Sequence, residues 1–264
     1  MIQGVEGILK AQHLLDGGGP WTVVTNAEDA SPATSALLAL ANGYLGLRGQ
    51  IGLRIQEGES ATTLLAGFHE TWPIIHAENA YGLARVGQTL LSLPDATGLE
   101  VFVNGERVGF KEGRVLEAER RLDMRRGVLT DSVLWEGSDG VKLQLEQRAA
   151  VSITQPGLAT IELSVESLEG PAAIRVSSVI EESHHWSSSG SEEEATMSDP
   201  RGAADVTANL NVISRGLEQG SGSLVFRAQS SKMMAALSYS DEVSFTVANG
   251  EPSSVLVSEE HDGQ

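Results

Sequence analysis

The chain has 264 residues, of which 41% are hydrophobic and 20% are charged, a composition typical of globular proteins and not of disordered or fibrous ones. Its 18 basic and 36 acidic residues give a formal net charge of −18, which argues against nucleic acid or an anionic membrane surface as a partner. The sequence holds no apolar run of about 18 residues, so it predicts no membrane-spanning helix. Because cysteine is absent, disulfides and cysteine-ligated metals are excluded, and a reducing cytoplasm is the expected location.

Residues 1–20 carry one lysine and short apolar patches before Gly17-Gly18-Gly19-Pro20. This pattern is too weak for a secretory signal peptide, which needs a longer apolar region. We expect residues 1–20 to be a poorly ordered lead-in and residues 21–264 to form a single domain.

The first part of this domain alternates between strand and turn signals. The β-branched run Trp21–Val24 predicts a strand, and the polar stretch Thr25–Pro32 predicts a loop. In Asn42–Gly49, the three glycines at positions 43, 46 and 49 disfavour a helix and favour tight turns. A further strand is predicted for Ser60–Gly67.

Two hairpins are predicted in the middle of the chain. Leu99–Val103 is followed by Asn104-Gly105, the pair that a type I′ turn prefers. The second hairpin joins Gly127–Glu136 to Val141–Leu145 through a Gly-Ser-Asp-Gly turn. Between the two hairpins, Leu116–Met124 has an alternating apolar face, which Arg120 interrupts.

Alternating apolar residues recur about every ten residues through the rest of the chain, a pattern typical of antiparallel sandwiches and barrels. The polar stretch Glu181–Asp205 is predicted to be a long mobile loop. Overall we predict an all-β protein with few or short helices. The remaining predicted strands contain Ile161–Val165, Ile174–Ile180, Asn209–Ser214, Ser223–Ala228, Met233–Tyr239, Val243–Val247 and Ser254–Val257.

The stretch Gly67–Gln88 has neither a helical nor a strand period, so we predict a shaped surface segment of the kind that carries binding chemistry. Its histidines and glutamates do not match a metal-ligating spacing, and a metal site is therefore not predicted here or at His184-His185-Trp186. The polar and aromatic side chains of the stretch are His69, Glu70, Trp72, His76, Glu78, Tyr81 and Arg85.

These residues are compatible with more than one kind of chemistry. Glu70 and Glu78 could form the carboxylate pair of a glycosidase, but the sequence does not give their separation. Trp72 and Tyr81 could stack on a sugar ring, although a Trp-Pro pair is often only a buried anchor. The glycines of Asn42–Gly49 match no phosphate-binding motif, and the chain has no Gly-x-Ser-x-Gly elbow.

Several stretches together resemble the N-terminal domain of glycoside hydrolase family 65, which includes maltose, trehalose and kojibiose phosphorylases and related α-glucoside hydrolases. The resemblance runs from about Trp21 to the end of the chain. Ser35 and Ala41 differ from the Glu and Gly that the family usually has there. The stretches that carry it are Ala41–Gly49 (ANGYLGLRG), Gly67–Ile74 (GFHETWPI), Ala77–Arg85 (AENAYGLAR), Gly87–Thr89 (GQT), Arg121–Leu129 (RLDMRRGVL) and Asp199–Arg201 (DPR).

The resemblance implies a large antiparallel β-sandwich of the super-sandwich, galactose-mutarotase-like type, followed beyond residue 264 by a catalytic (α/α)6 barrel. In that family the general-acid glutamate and the groups that bind phosphate or activate water belong to the barrel, so no catalytic residue, metal or cofactor is expected in this chain. The substrate would be an α-linked glucose disaccharide cleaved with inversion, with inorganic phosphate as co-substrate in a phosphorylase. A homodimer is expected for the longer protein.

On this interpretation the chain is a non-catalytic domain that supports its barrel. Residues Trp72, His76, Glu78, Tyr81 and Arg85 are candidates for the substrate rim or the barrel interface. Two alternatives remain open from the sequence: a free-standing sugar-binding module that uses Trp72, Glu78 and Tyr81, and a mutarotase-like enzyme with His76 and Glu78 as acid and base.

Overall fold

The computed structural model describes residues 19–26, 31–55, 62–74, 76, 78, 80–181, 210–218 and 220–244. Over these residues the protein is nearly all β with antiparallel strand pairing, which confirms the predicted class. The elements are β1 (Thr22–Asn26), α1 (Pro32–Leu37), β2 (Leu40–Ala41), β3 (Leu45–Arg48), β4 (Thr62–Pro73), β5 (Val86–Leu93), β6 (Asp95–Val103), β7 (Glu106–Arg107), β8 (Arg114–Asp123), β9 (Val128–Glu136), β10 (Lys142–Val151), β11 (Ala159–Ser167), β12 (Ile174–Glu181), β13 (Leu210–Glu218), β14 (Ser221–Ala228) and β15 (Met234–Ser240).

The described chain divides into two compact units. The first unit holds the residues up to Ala66 and those from Ser92 to Glu181. The second holds Gly67 to Leu91 and the residues from Leu210 onward. The unit boundaries therefore fall inside strands β4 and β5.

The first unit is built on a five-stranded sheet of order β1-β8-β9-β10-β11 and a three-stranded sheet of order β12-β6-β7. Strands β2, β3 and the first part of β4 belong to a further sheet, of order β2-β3-β4-β5, in which they pair antiparallel. The described neighbouring strands of the first two sheets pair antiparallel. The sequence alternation in β9 and β10 follows from this arrangement, since one face of each strand is buried.

Two apolar clusters stabilise the first unit. In one, Leu122 and Leu129 of the large sheet pack with Leu40 and Leu47 of the β2–β3 hairpin. In the other, the core includes Val133, Trp135, Leu143, Leu145, Val101 and Val103. Each fully buried aliphatic side chain of this kind contributes roughly 1.5–3 kcal/mol to the free energy of folding.

Both predicted hairpins are present. Asn104 and Gly105 have φ angles of 50° and 87°, as the type I′ turn between β6 and β7 requires. The second hairpin joins β9 to β10. Strand β6 begins at Asp95 and not at Leu99 as the sequence predicted, because Asp95 is a buried partner of Arg54 and not a turn residue.

Arg120 does not interrupt the apolar face of β8, as the sequence predicted, but lies buried on it. Its Nε donates to Asp131 Oδ1 at 3.1 Å, and its Nη2 donates to the Gly49 carbonyl at 3.2 Å. The buried Gln147 donates from Nε2 to the Ile51 carbonyl at 2.8 Å. The side chains of Arg120 and Gln147 thus supply hydrogen-bond donors to the backbone carbonyls that follow β3, which allows this backbone to be buried in the first unit.

The predicted loop Thr25–Pro32 is wrong at both ends. Thr25 and Asn26 continue β1, where they pair with β8. Ser31 caps α1 by accepting a hydrogen bond from the Thr34 amide at 3.2 Å, and Pro32 begins the helix. Residues 27–30 lie outside the described part of the chain.

The second unit contains the later part of β4, most of β5 and a three-stranded sheet of order β13-β14-β15. Phe68 and Phe226 meet edge to face, with ring centroids 5.9 Å apart. Leu91, Leu224 and Ala228 are also buried in this unit. The pair Phe68–Phe226 is of the edge-to-face kind that stabilises a core beyond its buried area.

Other predictions fall partly or wholly outside the described residues. This holds for residues 1–18, for most of the predicted loop Glu181–Asp205 and for the predicted strand Ser254–Val257. Val243 and Ser244, at the start of the predicted strand Val243–Val247, are described and are not strand. In the part of the chain that the structure describes, no helix is long and apolar enough to span a membrane.

Candidate functional site

The stretch Gly67–Gln88 comprises the second half of β4, a connecting segment and the start of β5. The sequence predicted that a strand would end at Gly67, but β4 continues to Pro73. The alternation of apolar and polar residues that indicates a strand is not visible in this half of β4, because one of its buried positions is a glutamate. Phe68 and Glu70 are both buried, and Trp72 is partly buried on the same face.

The carboxylate of Glu70 accepts hydrogen bonds from three backbone amides. Oε1 accepts from the amides of Thr71 at 2.9 Å and Ser231 at 2.6 Å, and Oε2 accepts from the Ser230 amide at 2.9 Å. Burial acts to raise the pKa of Glu70, but the hydrogen bonds from Ser230, Thr71, Ser231 and Gln229 outweigh it, and the pKa lies below its ordinary value. A general acid needs the opposite shift, so this geometry makes Glu70 a structural anchor.

Trp72 packs on Gly87 in the facing strand. A Cβ atom at position 87 would lie 2.3 Å from Cε2 of the Trp72 ring, so only glycine fits beneath the indole. The indole Nε1 is buried and has no hydrogen-bond partner among the described atoms. Trp72 therefore braces β4 against β5, in keeping with the anchor that a Trp-Pro pair predicts.

The two histidines hydrogen bond within the segment. His69 Nδ1 lies 2.7 Å from the Gly67 carbonyl, and its Nε2 lies 3.1 Å from Nε2 of Gln88. Because the carbonyl can only accept, Nδ1 of His69 is the donor to Gly67. His76 donates from Nε2 to the Ala84 carbonyl at 2.6 Å, which ties the two ends of the connecting segment together.

The other candidates project from the connecting segment. Glu78, Tyr81 and Arg85 are exposed, and the Tyr81 side chain is fully so. The Arg85 carbonyl accepts from the Ile74 amide at 2.9 Å, which closes the segment at its base. The five predicted site residues thus divide into two that brace the segment, Trp72 and His76, and three that it presents.

The glycine-rich stretch Asn42–Gly49 has a structural role, as the sequence predicted. Asn42 Oδ1 accepts from the amides of Tyr44 and Leu45 at 2.9 and 2.8 Å. Its Nδ2 donates to the carbonyls of Ser152 and Pro156 at 2.6 and 2.8 Å. All four hydrogen-bonding positions of the amide are occupied, so Asn42 joins the β2–β3 turn to the turn after β10.

Sequence reasoning missed the partners of Glu70. Ser230 and Ser231 form the turn between β14 and β15, and they are 160 and 161 residues away in the chain. The only local signal was the polar turn Gln229–Lys232, which does not identify a carboxylate partner.

Nearly the whole chain matches one known protein family. Residues 25–263 match the model of the glycosyl hydrolase family 65, N-terminal domain. The chain belongs to this family. The resemblance found in the sequence is thereby confirmed.

Relatives of this family 65 domain include named phosphorylases. It is 31% identical to alpha,alpha-trehalose phosphorylase of Thermoanaerobacter brockii over 58% of this chain and 20% of that protein. It is 30% identical to kojibiose phosphorylase of Escherichia coli K12 over 56% of this chain and 18% of that protein. An uncharacterized glycosyl hydrolase of Mycobacterium leprae is 29% identical over 85% of this chain and 28% of its own length.

A solved structure shares the fold of this domain. It belongs to a human-microbiome protein provisionally named a kojibiose phosphorylase, and the match has a TM-score of 0.58 with 16% identity. The match covers 84% of this chain and 30% of the other. The chain thus spans less than a third of each of these longer proteins.

Proposed function

We propose that this family 65 domain is the non-catalytic N-terminal part of a phosphorylase or hydrolase that acts on an α-linked glucose disaccharide. The observation that carries the proposal is the match of residues 25–263 to the family's N-terminal domain, together with the much greater length of the relatives. The relatives named as trehalose and kojibiose phosphorylases support disaccharides as the substrate class.

The chemistry of Gly67–Gln88 supports a non-catalytic role. An inverting glycosidase or phosphorylase needs a carboxylic acid with a raised pKa to protonate the leaving oxygen. Glu70 has a lowered pKa and is buried against the backbone amides that it accepts from, whereas Glu78 is exposed on the connecting segment. In our proposal the general acid and the group that binds phosphate or activates water belong to a catalytic domain that follows this one.

The connecting segment between β4 and β5 is the candidate for contact with that catalytic domain or with the rim of its substrate site. Trp72 and His76 fix the segment, and Glu78, Tyr81 and Arg85 are the exposed side chains that could reach a sugar or a neighbouring domain. We further propose that the longer protein is a homodimer and, if it is a phosphorylase, that inorganic phosphate is its co-substrate.

The test is to compare the 264-residue chain with the longer protein encoded by the same gene. Trehalose, kojibiose and maltose are supplied with and without phosphate, and glucose and glucose 1-phosphate are measured. We expect turnover by the longer protein and none by the 264-residue chain. Turnover by the 264-residue chain, or no turnover of any α-glucoside by the longer protein, would contradict the proposal.

The two alternative functions have their own readouts. Millimolar or tighter binding of these disaccharides to the 264-residue chain, measured by titration calorimetry, would favour a sugar-binding module. Acceleration of α-glucose mutarotation above the buffer rate, measured by polarimetry, would favour a mutarotase-like enzyme. We expect neither.

A further inference from the structure

The sequence contains three Asn-Gly pairs, and the structure describes two of them. Asn42-Gly43 lies in the β2–β3 turn and Asn104-Gly105 in the β6–β7 turn, whereas Asn249-Gly250 lies outside the described residues. Glycine has no side chain to shield its peptide nitrogen. That nitrogen can therefore react with the carbonyl carbon of the preceding asparagine side chain.

The reaction of such a pair is deamidation. The glycine nitrogen gives up its proton and bonds to Cγ of the asparagine, the Cγ–Nδ2 bond breaks, and the departing NH2 group takes up a proton and leaves as ammonia. Water then adds to either carbonyl of the five-membered succinimide and opens it to aspartate or isoaspartate. Water is the only co-reactant, and no group is oxidised or reduced.

Asn42 is firmly held against this reaction. Asn42 is partly buried, and its side-chain amide accepts two hydrogen bonds and donates two. Closing the succinimide ring requires Cγ to turn onto the Gly43 nitrogen. This rotation would break hydrogen bonds at both ends of the amide.

Asn104 is held less firmly. Asn104, Gly105 and Asp139 are all exposed. Nδ2 of Asn104 donates to Asp139 Oδ2 at 2.8 Å, and its Oδ1 accepts from the Ala173 amide at 3.0 Å. Both of these hydrogen bonds lie at the surface, where water can replace either partner.

We propose that Asn104 is a deamidation site whose rate is set by its hydrogen bond to Asp139. While Asp139 and Ala173 hold the two ends of the amide, the side chain cannot turn onto the Gly105 nitrogen. Deamidation proceeds from the fraction of molecules in which these bonds are open, as expected for a locally exposed segment. All of these residues belong to the first unit, so the site is independent of the enzymatic function proposed above.

The products change the contact between two turns. An aspartate at position 104 has no side-chain donor for Asp139 and brings a second negative charge beside it. Isoaspartate also lengthens the main chain by one methylene group within a two-residue turn. In that turn the Asn104 amide donates to the Ala173 carbonyl at 2.9 Å, so isoaspartate weakens the attachment of the turn to the start of β12.

Peptide mapping by mass spectrometry follows each Asn-Gly pair separately. The 264-residue chain is incubated at neutral pH, both folded and unfolded in guanidinium chloride, and the ratio of the unfolded to the folded rate gives the protection of each asparagine. We expect Asn104 to convert to aspartate and isoaspartate in the folded chain and to be at least about threefold less protected than Asn42. Equal protection of the two, or no conversion of Asn104 in the folded chain, would overturn the proposal.

Asp139→Ser tests the role of the carboxylate. A serine hydroxyl can still accept from the Val141 amide, which now donates to Asp139 Oδ1 at 3.0 Å, but it is too short to replace Oδ2 as the partner of Asn104. Asparagine is unsuitable here, because it would form a further Asn-Gly pair with Gly140. We expect Asp139→Ser to speed the deamidation of Asn104 in the folded chain by about three- to tenfold, the factor for losing one hydrogen bond.

Two controls separate this effect from a general loss of stability. Asp123→Ser alters a comparable turn carboxylate, which accepts from the amides of Arg125 and Arg126 and, among the described contacts, touches neither Asn-Gly pair. It should leave the rate at Asn104 unchanged. The rate at Asn42 reports global unfolding in every variant. An unchanged rate at Asn104 in Asp139→Ser, equal acceleration at Asn42, or equal acceleration by Asp123→Ser would overturn the proposal.

Discussion

Oε1 of Glu70 lies 2.6 Å from the backbone nitrogen of Ser231, which joins β4 to the turn between β14 and β15 within the second unit. Replacing Glu70 with Gln puts an NH2 group where one of the accepting oxygens stands, so a buried amide loses its partner. We expect Glu70→Gln to reduce the free energy of unfolding by about 1–3 kcal/mol, measured by urea denaturation. The control Glu78→Gln, at an exposed position, should be close to neutral.

The same carboxylate predicts a pH dependence. The pKa of Glu70 in the folded protein lies below the ordinary value of 4.5, so its ionised form stabilises the fold above that pH. This contribution is lost as the pH falls below 4.5 and through the folded-state pKa. The difference in unfolding free energy between wild type and Glu70→Gln should therefore shrink from about pH 6 to about pH 3. A difference that grows on acidification would show that the carboxylate is not the anchor.

Gly87 is predicted to tolerate no side chain. The Cβ of Gly87→Ala would lie 2.3 Å from the Trp72 ring, so the indole must move or the strands must separate. We expect a loss of about 1–3 kcal/mol in unfolding free energy, typical of overpacking. Gly46→Ala is the control, since its Cβ would meet Leu64 Cβ at an ordinary 3.8 Å.

A second variant shows whether the clash with Trp72 is the cause. Combining Gly87→Ala with Trp72→Leu should cost less than the sum of the two single changes, because the smaller side chain makes room for the new methyl group. Additive losses would mean that Gly87 is required for another reason.

Local signals in the sequence predicted the strands and hairpins well. The Asn104-Gly105 turn and the alternation in β9 and β10 depend only on neighbouring residues, so they were visible without the structure. The structural roles of buried polar residues could not be predicted from their sequence neighbours. Glu70 looked like possible acid chemistry because its amide donors are supplied by a turn 160 residues away.

The buried ion pair Arg120–Asp131 in the first unit is a second polar contact that the sequence did not predict. Burial raises the pKa of Asp131, and the neighbouring Arg120 opposes this rise by stabilising the ionised form. We expect Asp131→Ala to reduce the free energy of unfolding by about 3–5 kcal/mol, because it leaves Arg120 buried without its partner. Urea denaturation checks this value.

A neighbouring pair provides the control. Arg121 and Glu119 form an exposed ion pair on the opposite face of β8. Arg121→Gln should change the free energy of unfolding by no more than about 1 kcal/mol. The double variant Arg120→Leu/Asp131→Leu should be less destabilising than Asp131→Ala, since it removes both buried charges. If the double variant were the more destabilising, the hydrogen bond from Arg120 to Gly49 would be the more important contact.

Asn104 links the β6–β7 turn to Asp139 in the turn before β10. Its Nδ2 donates to Asp139 Oδ2 at 2.8 Å, and this bond is the main reason that the pKa of Asp139 is below its ordinary value. Asn104→Asp would place a second carboxylate at this distance, and like charges so close favour protonation of one of them. We expect the pKa of Asp139 to rise, as measured by NMR titration of its carboxyl carbon.

Asn104→Gly separates the two causes of that rise. Glycine keeps the positive φ that the turn requires and removes the donor without adding charge. It should raise the pKa of Asp139 by less than Asn104→Asp does, and the excess should shrink in high salt because the repulsion between exposed charges is screened. An equal rise in both variants would assign the whole effect to the lost hydrogen bond, and an unchanged pKa would mean that Asn104 and Asp139 are not bonded in solution.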